Sequence, residues 1–487
     1  MAVARDRPST TDGSVAEPDA EPGAACLDGA GAASLVAGLR AAHATGITRP
    51  TAFRKDQLRR AVRMFEENEQ AFTAALHADL GKPEIESYAS EIALCVTELK
   101  VMLKSLDRWA APESVSLPMA SRPGKAWVQR EPKGVVLVIA PWNYPLQLSL
   151  LPLATALAAG NSVVLKPSEL APATSRAIAR IVPRYLDGRT VRVVEGGVSE
   201  TTALLEQRWD HIFYTGNATV GRIVMRAAAE HLTPVTLELG GKSPAIVASD
   251  ARLKVAARRI VWGKFFNAGQ TCVAPDHVLV HRDAHAELVR HMVEAVGEFY
   301  GDDPERSPDL ARIVNERHFR RLSSLLDAGG FERIAVGGRL DPATRYIAPT
   351  ILDGVRLDAA LMREEIFGPL LPVVAVDDLE AALRVVNAGE KPLALYLFTE
   401  DDATAERVVG ETSAGGMCIN HTILHLSVPN LPFGGVGESG MGSYHGKWGF
   451  DELSHRKSVL KRPTSLDPPV AYPPFGPWKK RLVRKVL

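Results

Sequence analysis

Five short runs between Gly134 and Leu237 are apolar at most positions: Gly134-Val135-Val136-Leu137-Val138-Ile139, Ser162-Val163-Val164-Leu165, Val191-Arg192-Val193-Val194, His211-Ile212-Phe213-Tyr214 and Pro234-Val235-Thr236-Leu237. Stretches with helical spacing separate them, at 146–159, 173–186, 200–207 and 219–230. A strand without a polar face must be covered on both sides, and the intervening helices are what the chain offers to cover it. The alternation predicts an α/β protein with a doubly wound parallel sheet. Ligands on such sheets bind beyond the carboxyl ends of the strands. The residues that follow each run are therefore where chemistry is to be sought.

A second α/β series starts at Ser243, with strands expected at 245–247, 277–280, 372–376 and 395–398 and helices at 284–299 and 379–387. Ahead of the first series, 35–109 is helical in pattern, with Leu58, Val62, Phe65, Glu69 and Phe72, then Ile92, Cys95, Val96, Leu99 and Leu103, stepping by three and four. Cys95 on that apolar face reads as a core residue. The segment 112–132 looks extended and separate from the main sheet, as an arm would be. Residues 1–33, rich in Ala, Gly, Pro, Ser and Asp, cannot bury enough apolar surface to offset their ordering entropy and are expected to be a disordered tail. At the other end, 478–487 forms a helix that is basic on one face and apolar on the other. Docking on a partner subunit suits it best, with an anionic membrane as the second reading.

Composition excludes several functions. Lys+Arg and Asp+Glu both number 57 in 487 residues, so no global charge draws the chain to nucleic acid or to an anionic membrane. The four cysteines (Cys26, Cys95, Cys272 and Cys418) contain no C-x-x-C pair, which argues against a disulfide framework and a metal site. Arg5 and Arg7 are followed by acids rather than by an apolar run, so no signal peptide is expected. The most apolar long stretch, 146–160, is broken by Pro152 and too short to span a bilayer. These features fit a cytoplasmic protein without a transmembrane segment.

The strand ends carry a set of polar groups. Pro141-Trp142-Asn143-Tyr144-Pro145 follows the first strand, and its two prolines stiffen a loop in which Asn143 can offer an amide to a developing oxyanion, or simply make a turn. Lys166-Pro167-Ser168-Glu169 follows the second, a lysine and an acid able to grip ribose hydroxyls. Gly216-Asn217-Ala218-Thr219-Val220-Gly221 opens a helix after the fourth, where backbone N–H groups favour a pyrophosphate. Glu238-Leu239-Gly240-Gly241-Lys242 follows the fifth, with Glu238 either a general base or a solvated acid. In the second series, Asn267-Ala268-Gly269-Gln270-Thr271-Cys272 places a cysteine in a helix-to-strand turn, where it is a nucleophile or a buried structural residue. The glycine-rich run 432–442 can cradle phosphate or pack tightly, and both readings stand.

Taken together these stretches resemble the aldehyde dehydrogenase superfamily from about Leu35 to Leu487, through PWNYP at 141–145, KPSE at 166–169, ELGGKSP at 238–244, GQTC at 269–272, EEIFGP at 364–369 and PFGG at 432–435. The chain is most similar to the class 3 branch, through the TRP at 48–50, CVAPD after the cysteine, VNERHFRR at 314–321, the run from Asn420 to Gly442, and the YPPF-plus-basic ending. That resemblance implies an NAD- or NADP-linked homodimer acting on a small-molecule aldehyde. It implies Cys272 as nucleophile, with the thiohemiacetal oxyanion held by Asn143 and the Cys272 N–H, and Glu238 as the base that hydrolyses the thioester. It also implies cofactor contacts from Trp142, Lys166, Glu169, Gly216, Gly221, Leu239, Glu365 and Phe367. Asn217 stands where the family usually has Ser, which puts the pyrophosphate hydrogen bond expected there in question.

The implied organisation is a disordered tail (1–33), a doubly wound NAD(P)-binding domain (34–111 and 134–239), a second α/β catalytic domain (240–446), and a small oligomerisation arm with a C-terminal tail (112–133 and 447–487). A CoA-acylating enzyme is an alternative, disfavoured because a thiol acceptor has no use for Glu238. A non-catalytic binding protein on the same fold is another.

Overall fold

In the computed structural model, residues 27–486 are described. The sheet foreseen at 134–237 is present in the strand order Gly440–Met441, Val235–Glu238, His211–Thr215, Val135–Ile139, Ser162–Lys166, Val191–Val193. All pairs are parallel except the short Gly440–Met441 edge. The chain lays down its central strand Val135–Ile139, builds outward through two strands on one side, then returns to build on the other. The crevice at that reversal lies between the ends of Val135–Ile139 and His211–Thr215, the position where such sheets bind ligands. The central strand is buried at every position, and so is the helix Gln147–Ala159 against it. An all-round apolar helix has no solvent face to present, so it becomes core.

A second, seven-stranded sheet runs Arg333–Val336, Thr350–Asp353, Leu370–Val376, His277–His281, Pro244–Val247, Ala394–Phe398, Gly416–Ile419, with the first strand antiparallel. The chain passes from one sheet to the other in the five residues between Glu238 and Pro244. A third sheet pairs Glu113–Val115, Lys125–Pro132 and Ser454–Lys461 antiparallel. Among the described residues, no helix is long and apolar enough to cross a membrane, and no group of three or more acidic, His or Cys side chains could hold a metal ion.

One expectation is corrected, and of one open pair of readings the contacts favour one. The helix Gly29–Ala44 begins inside the stretch 1–33 expected to be tail, capped by Asp28, which accepts from the Gly31 N–H at 2.7 Å. Its Ala32, Val36 and Leu39 are buried against the first sheet, so here apolar contact outweighs a composition that looks disordered. Residues 1–26 lie outside the described residues. The glycine-rich run packs rather than cradling phosphate. Side chains at Gly434, Gly435 and Gly440 would overlap the backbone oxygens of Gly442, Ser439 and Leu237, and Gly440–Met441 pairs with the strand ending in Glu238.

Candidate active site

Cys272 sits on a turn wound against its preference. Helix Leu253–Phe265 gives way to Asn267, Ala268 and Gly269 with φ of 54°, 52° and 74°, all left-handed. Non-glycine residues adopt that conformation at a cost and need surroundings that hold them there. At Gly269 a side chain would run into the Gly368 carbonyl. The holding contacts are dense. Asn267 N–H donates to Glu86 Oε2 at 3.0 Å, and Asn267 Nδ2 donates to the carbonyls of Asn143 and Gln270 at 2.9 and 3.1 Å. Gln270 bonds Asn267 O, Arg312 O and Val314 N–H, and the Thr271 and Tyr144 hydroxyls meet at 2.6 Å. Cys272 is half-buried. Burial first, then the charges of Glu365 and Glu238, push its thiol well above the ordinary range.

Asn143 faces that turn across the gap between the sheets. Its amide does not point free into the cleft as the sequence suggested: Nδ2 donates to Gln270 O at 3.1 Å. An amide carries two N–H groups, so one ties the loop to the Cys272 turn and the second is left for an acceptor. Behind the loop, Lys82 forms a fully buried ion pair with Glu91 and donates to Asn143 O at 3.2 Å. Glu91 accepts in turn from the Leu146 and Gln147 N–H groups, and Lys82 lies 4.1 Å above the Tyr144 ring.

Glu238 closes its strand with only 3% of its surface exposed, and neither carboxylate oxygen has a hydrogen-bond partner among the described residues. Burial, reinforced by the charge of Glu452, holds its carboxyl well above the usual carboxylate range. Glu238 and Cys272 line one cavity of about 240 Å³, walled by Tyr144, Leu148, Trp262, Phe266, Phe433 and Tyr444. The wall is overwhelmingly apolar and aromatic.

On the far side lie the residues assigned to a dinucleotide. Lys166 and Glu169 pair at 2.6 Å beyond the second strand. The Gly216 N–H is taken by Glu238 O at 3.0 Å, and Asn217 caps helix Ala218–Ala229 by accepting from Val220 N–H at 3.0 Å. Asn217 therefore serves as the helix cap, and the first N–H groups of the helix lack intrahelical acceptors. Gly221 packs on Leu239, whose side chain also reaches the Cys272 cavity. Glu365 lies so close to Gly240 that a side chain there would overlap its carboxylate, and burial, then Asp276, raise Glu365 to about 8. Phe367, left-handed at φ 50°, meets Trp142 edge-on at 5.3 Å, and Trp142 packs on His318 at 4.9 Å. Lys242, paired with Asp276, also donates to Leu361 O and Glu364 O, and Asp276 accepts from Ile366 N–H. A cation, acids beside glycines and a helix start around one crevice fit the hydroxyls and phosphates of a dinucleotide.

Sequence reasoning missed the buried pair Lys82 and Glu91 beneath the Asn143 loop. Each reaches the site from a distant element, and no local spacing marks it.

The model of the aldehyde dehydrogenase family matches residues 25–459. The chain is 49% identical to aldehyde dehydrogenase family 3 member H1 of Arabidopsis thaliana over 94% of this chain and 95% of that protein. It is 48% identical to the dimeric NADP-preferring aldehyde dehydrogenase of Canis lupus familiaris over 89% and 96%. Among solved structures, substrate-bound Staphylococcus aureus AldH superposes with a TM-score of 0.91 at 44% identity, covering 93% of this chain and 98% of that one. The chain therefore belongs to the aldehyde dehydrogenase family, as an oxidoreductase that converts aldehydes using NAD or NADP.

Proposed function

We propose that the Cys272 sulfur attacks the aldehyde carbon and that the resulting oxyanion is met by the free N–H of Asn143 and the Cys272 backbone N–H. The observation that carries this reading is one cavity holding both Cys272 and Glu238, with Asn143 bonded to the turn beneath the sulfur. When bound, NAD(P) supplies the hydride acceptor. Lys166 and Glu169 would hold its adenosine ribose, the start of helix Ala218–Ala229 with Gly216 and Gly221 its pyrophosphate, and Trp142, Leu239, Glu365 and Phe367 its nicotinamide half. The acyl group then sits on Cys272 as a thioester. Glu238 removes a proton from the attacking water, and its raised pKa makes its carboxylate a stronger base than an exposed one. The apolar wall supports aldehydes with an aromatic or long aliphatic body.

The assembly proposed is a homodimer in the cytoplasm, divided as a dinucleotide-binding domain (34–111 and 134–239), a catalytic domain (240–446) and an arm with tail (112–133 and 447–487). The three cysteines among the described residues, all free, support a reducing compartment, and the eight-residue strand Ser454–Lys461 leaves an open edge on the arm's sheet for a second copy. Cys272→Ser against wild type, on an aromatic and long-chain aldehyde panel with NAD and with NADP, tests the catalytic reading. It expects carboxylic acid and NAD(P)H from wild type alone. Equal rates from the two proteins would overturn it.

A further inference from the structure

The cavity that holds Cys272 and Glu238 has few polar groups in its wall, and most of them are already engaged. The Ser90 hydroxyl donates to Glu86 O at 2.6 Å, and those of Tyr144 and Thr271 meet each other. Thr215 pairs in register with Glu238, at the reacting end. His445 stands apart from these. It lines the same cavity with only 2% of its surface exposed. Its backbone lies at φ 78° and ψ 137°, a conformation that glycine adopts freely and that a residue with a side chain keeps only when its surroundings hold it there. Glu98, on helix Leu94–Ala110 and itself buried, does the holding. Its Oε1 lies 3.2 Å from His445 Nδ1, and its Oε2 accepts from the Gly446 N–H at 3.3 Å. The Phe433 and Tyr444 rings flank the imidazole at 5.4 and 4.4 Å. The second ring nitrogen, Nε2, has no partner among the described residues.

A carboxylate beside Nδ1 fixes the ring hydrogen on that nitrogen, so the neutral imidazole offers Nε2 as an acceptor. A buried acceptor without a donor costs free energy, and a ligand that brings a donor removes that cost. We propose, on the reading of this cavity as the aldehyde site, that His445 is a specificity-determining residue and that the enzyme selects aldehydes whose body carries a hydroxyl able to donate to His445 Nε2. Glu98 is the positioning residue: it sets the tautomer and the orientation of the ring and does not itself meet the substrate. The hydroxyl bond lies away from the reacting carbon, so it acts on capture of the aldehyde and discriminates in kcat/KM.

The test uses benzaldehydes of similar bulk, carrying a hydroxy, methyl, methoxy or carboxy group at the meta or para position. The quantity read is the ratio of kcat/KM for the hydroxy aldehyde to that for its methyl counterpart, compared between wild type and His445→Phe, so that the intrinsic reactivity of each aldehyde cancels. The expectation is a ratio about tenfold lower in His445→Phe, carried by a higher KM for the hydroxy aldehyde, with the methyl aldehyde used as well as before. In Glu98→Gln the amide oxygen can accept from the Gly446 N–H and the amide N–H₂ then faces Nδ1, which moves the ring hydrogen to Nε2. The methoxy aldehyde, which only accepts, should gain on the hydroxy one in that variant. Where His445→Phe leaves Glu98 without a partner and fails to fold, the double variant Glu98→Met with His445→Phe removes both polar groups and gives the same ratio. An equal ratio in wild type and variant would overturn the inference. So would a loss shared alike by hydroxy and methyl aldehydes, which marks a structural role only, or a wild-type preference for the carboxy aldehyde, which calls for a charged donor in place of the acceptor. Failure of wild type to oxidise any aldehyde would sink the Cys272 reading and this one with it, whereas an unchanged ratio sinks this one alone.

Discussion

At the scale of single residues, the electrostatics of the cavity set the pH dependence. Burial raises the Glu238 carboxyl well above the usual carboxylate range, and only its carboxylate can take a proton from water. The fraction of active base therefore grows as pH rises, and kcat should climb from pH 6 toward alkaline values. Glu238→Gln should keep first-turnover NADH formation, lower kcat by about 10²–10⁴-fold and flatten the profile, read by burst amplitude and steady-state rate on one sample. Loss of the burst itself would contradict the role. The residues proposed to react stand out in the sequence because Asn143 and Glu238 follow or end a strand and Cys272 lies in a glycine-containing turn before one. Their supports do not. Lys82 lies 61 residues before Asn143, the residue it bonds, and nothing local in the chain relates the two.

At the scale of elements, the site depends on how loops are anchored. The Lys82–Glu91 pair is fully buried and holds the 141–147 loop from beneath. Lys82→Met should leave Glu91 as an unpaired buried charge and cost about 3–5 kcal/mol, seen as a large fall in the denaturation midpoint. Asn217→Ala removes the cap of helix Ala218–Ala229 and should cost about 1 kcal/mol while raising the KM for cofactor. Asn217→Ser should be nearly neutral, since both side chains cap well. Regular elements with strong periodicity were readable from the sequence. The break at Asn68 between helices Thr51–Glu67 and Glu69–Leu80 was not, because the helical spacing runs through it. What ends the first helix is tertiary: Asn68 Nδ2 donates to Met64 O and to the Tyr185 hydroxyl. The short strand Arg333–Val336 also escaped, being half-exposed and without the continuous apolar run of its buried neighbours.

At the scale of the whole molecule, the proposed dimer and the basic helix Pro477–Val486 belong together. Trp478, Leu482 and Val483 are exposed on the isolated chain, so removing 477–487 should lower the sedimentation coefficient if that face docks on a second copy, and an unchanged coefficient would exclude the docking. The two-sheet plan was legible in the sequence because buried parallel strands have an unmistakable composition. How the sheets face each other was not, since the contacts that set it are single side chains from remote segments. The five residues joining the sheets show this best. Gly240 is pressed against Glu365, Gly241 against the Pro392 backbone, and Lys242 is tied to Asp276, Leu361 and Glu364. A seam clasped in this way has little freedom to act as a hinge, so the two halves cannot swing apart like a jaw. Coenzyme is then expected to enter and leave past the loops at the rim, and substitutions that stiffen those loops should lower kcat more than substitutions in the seam.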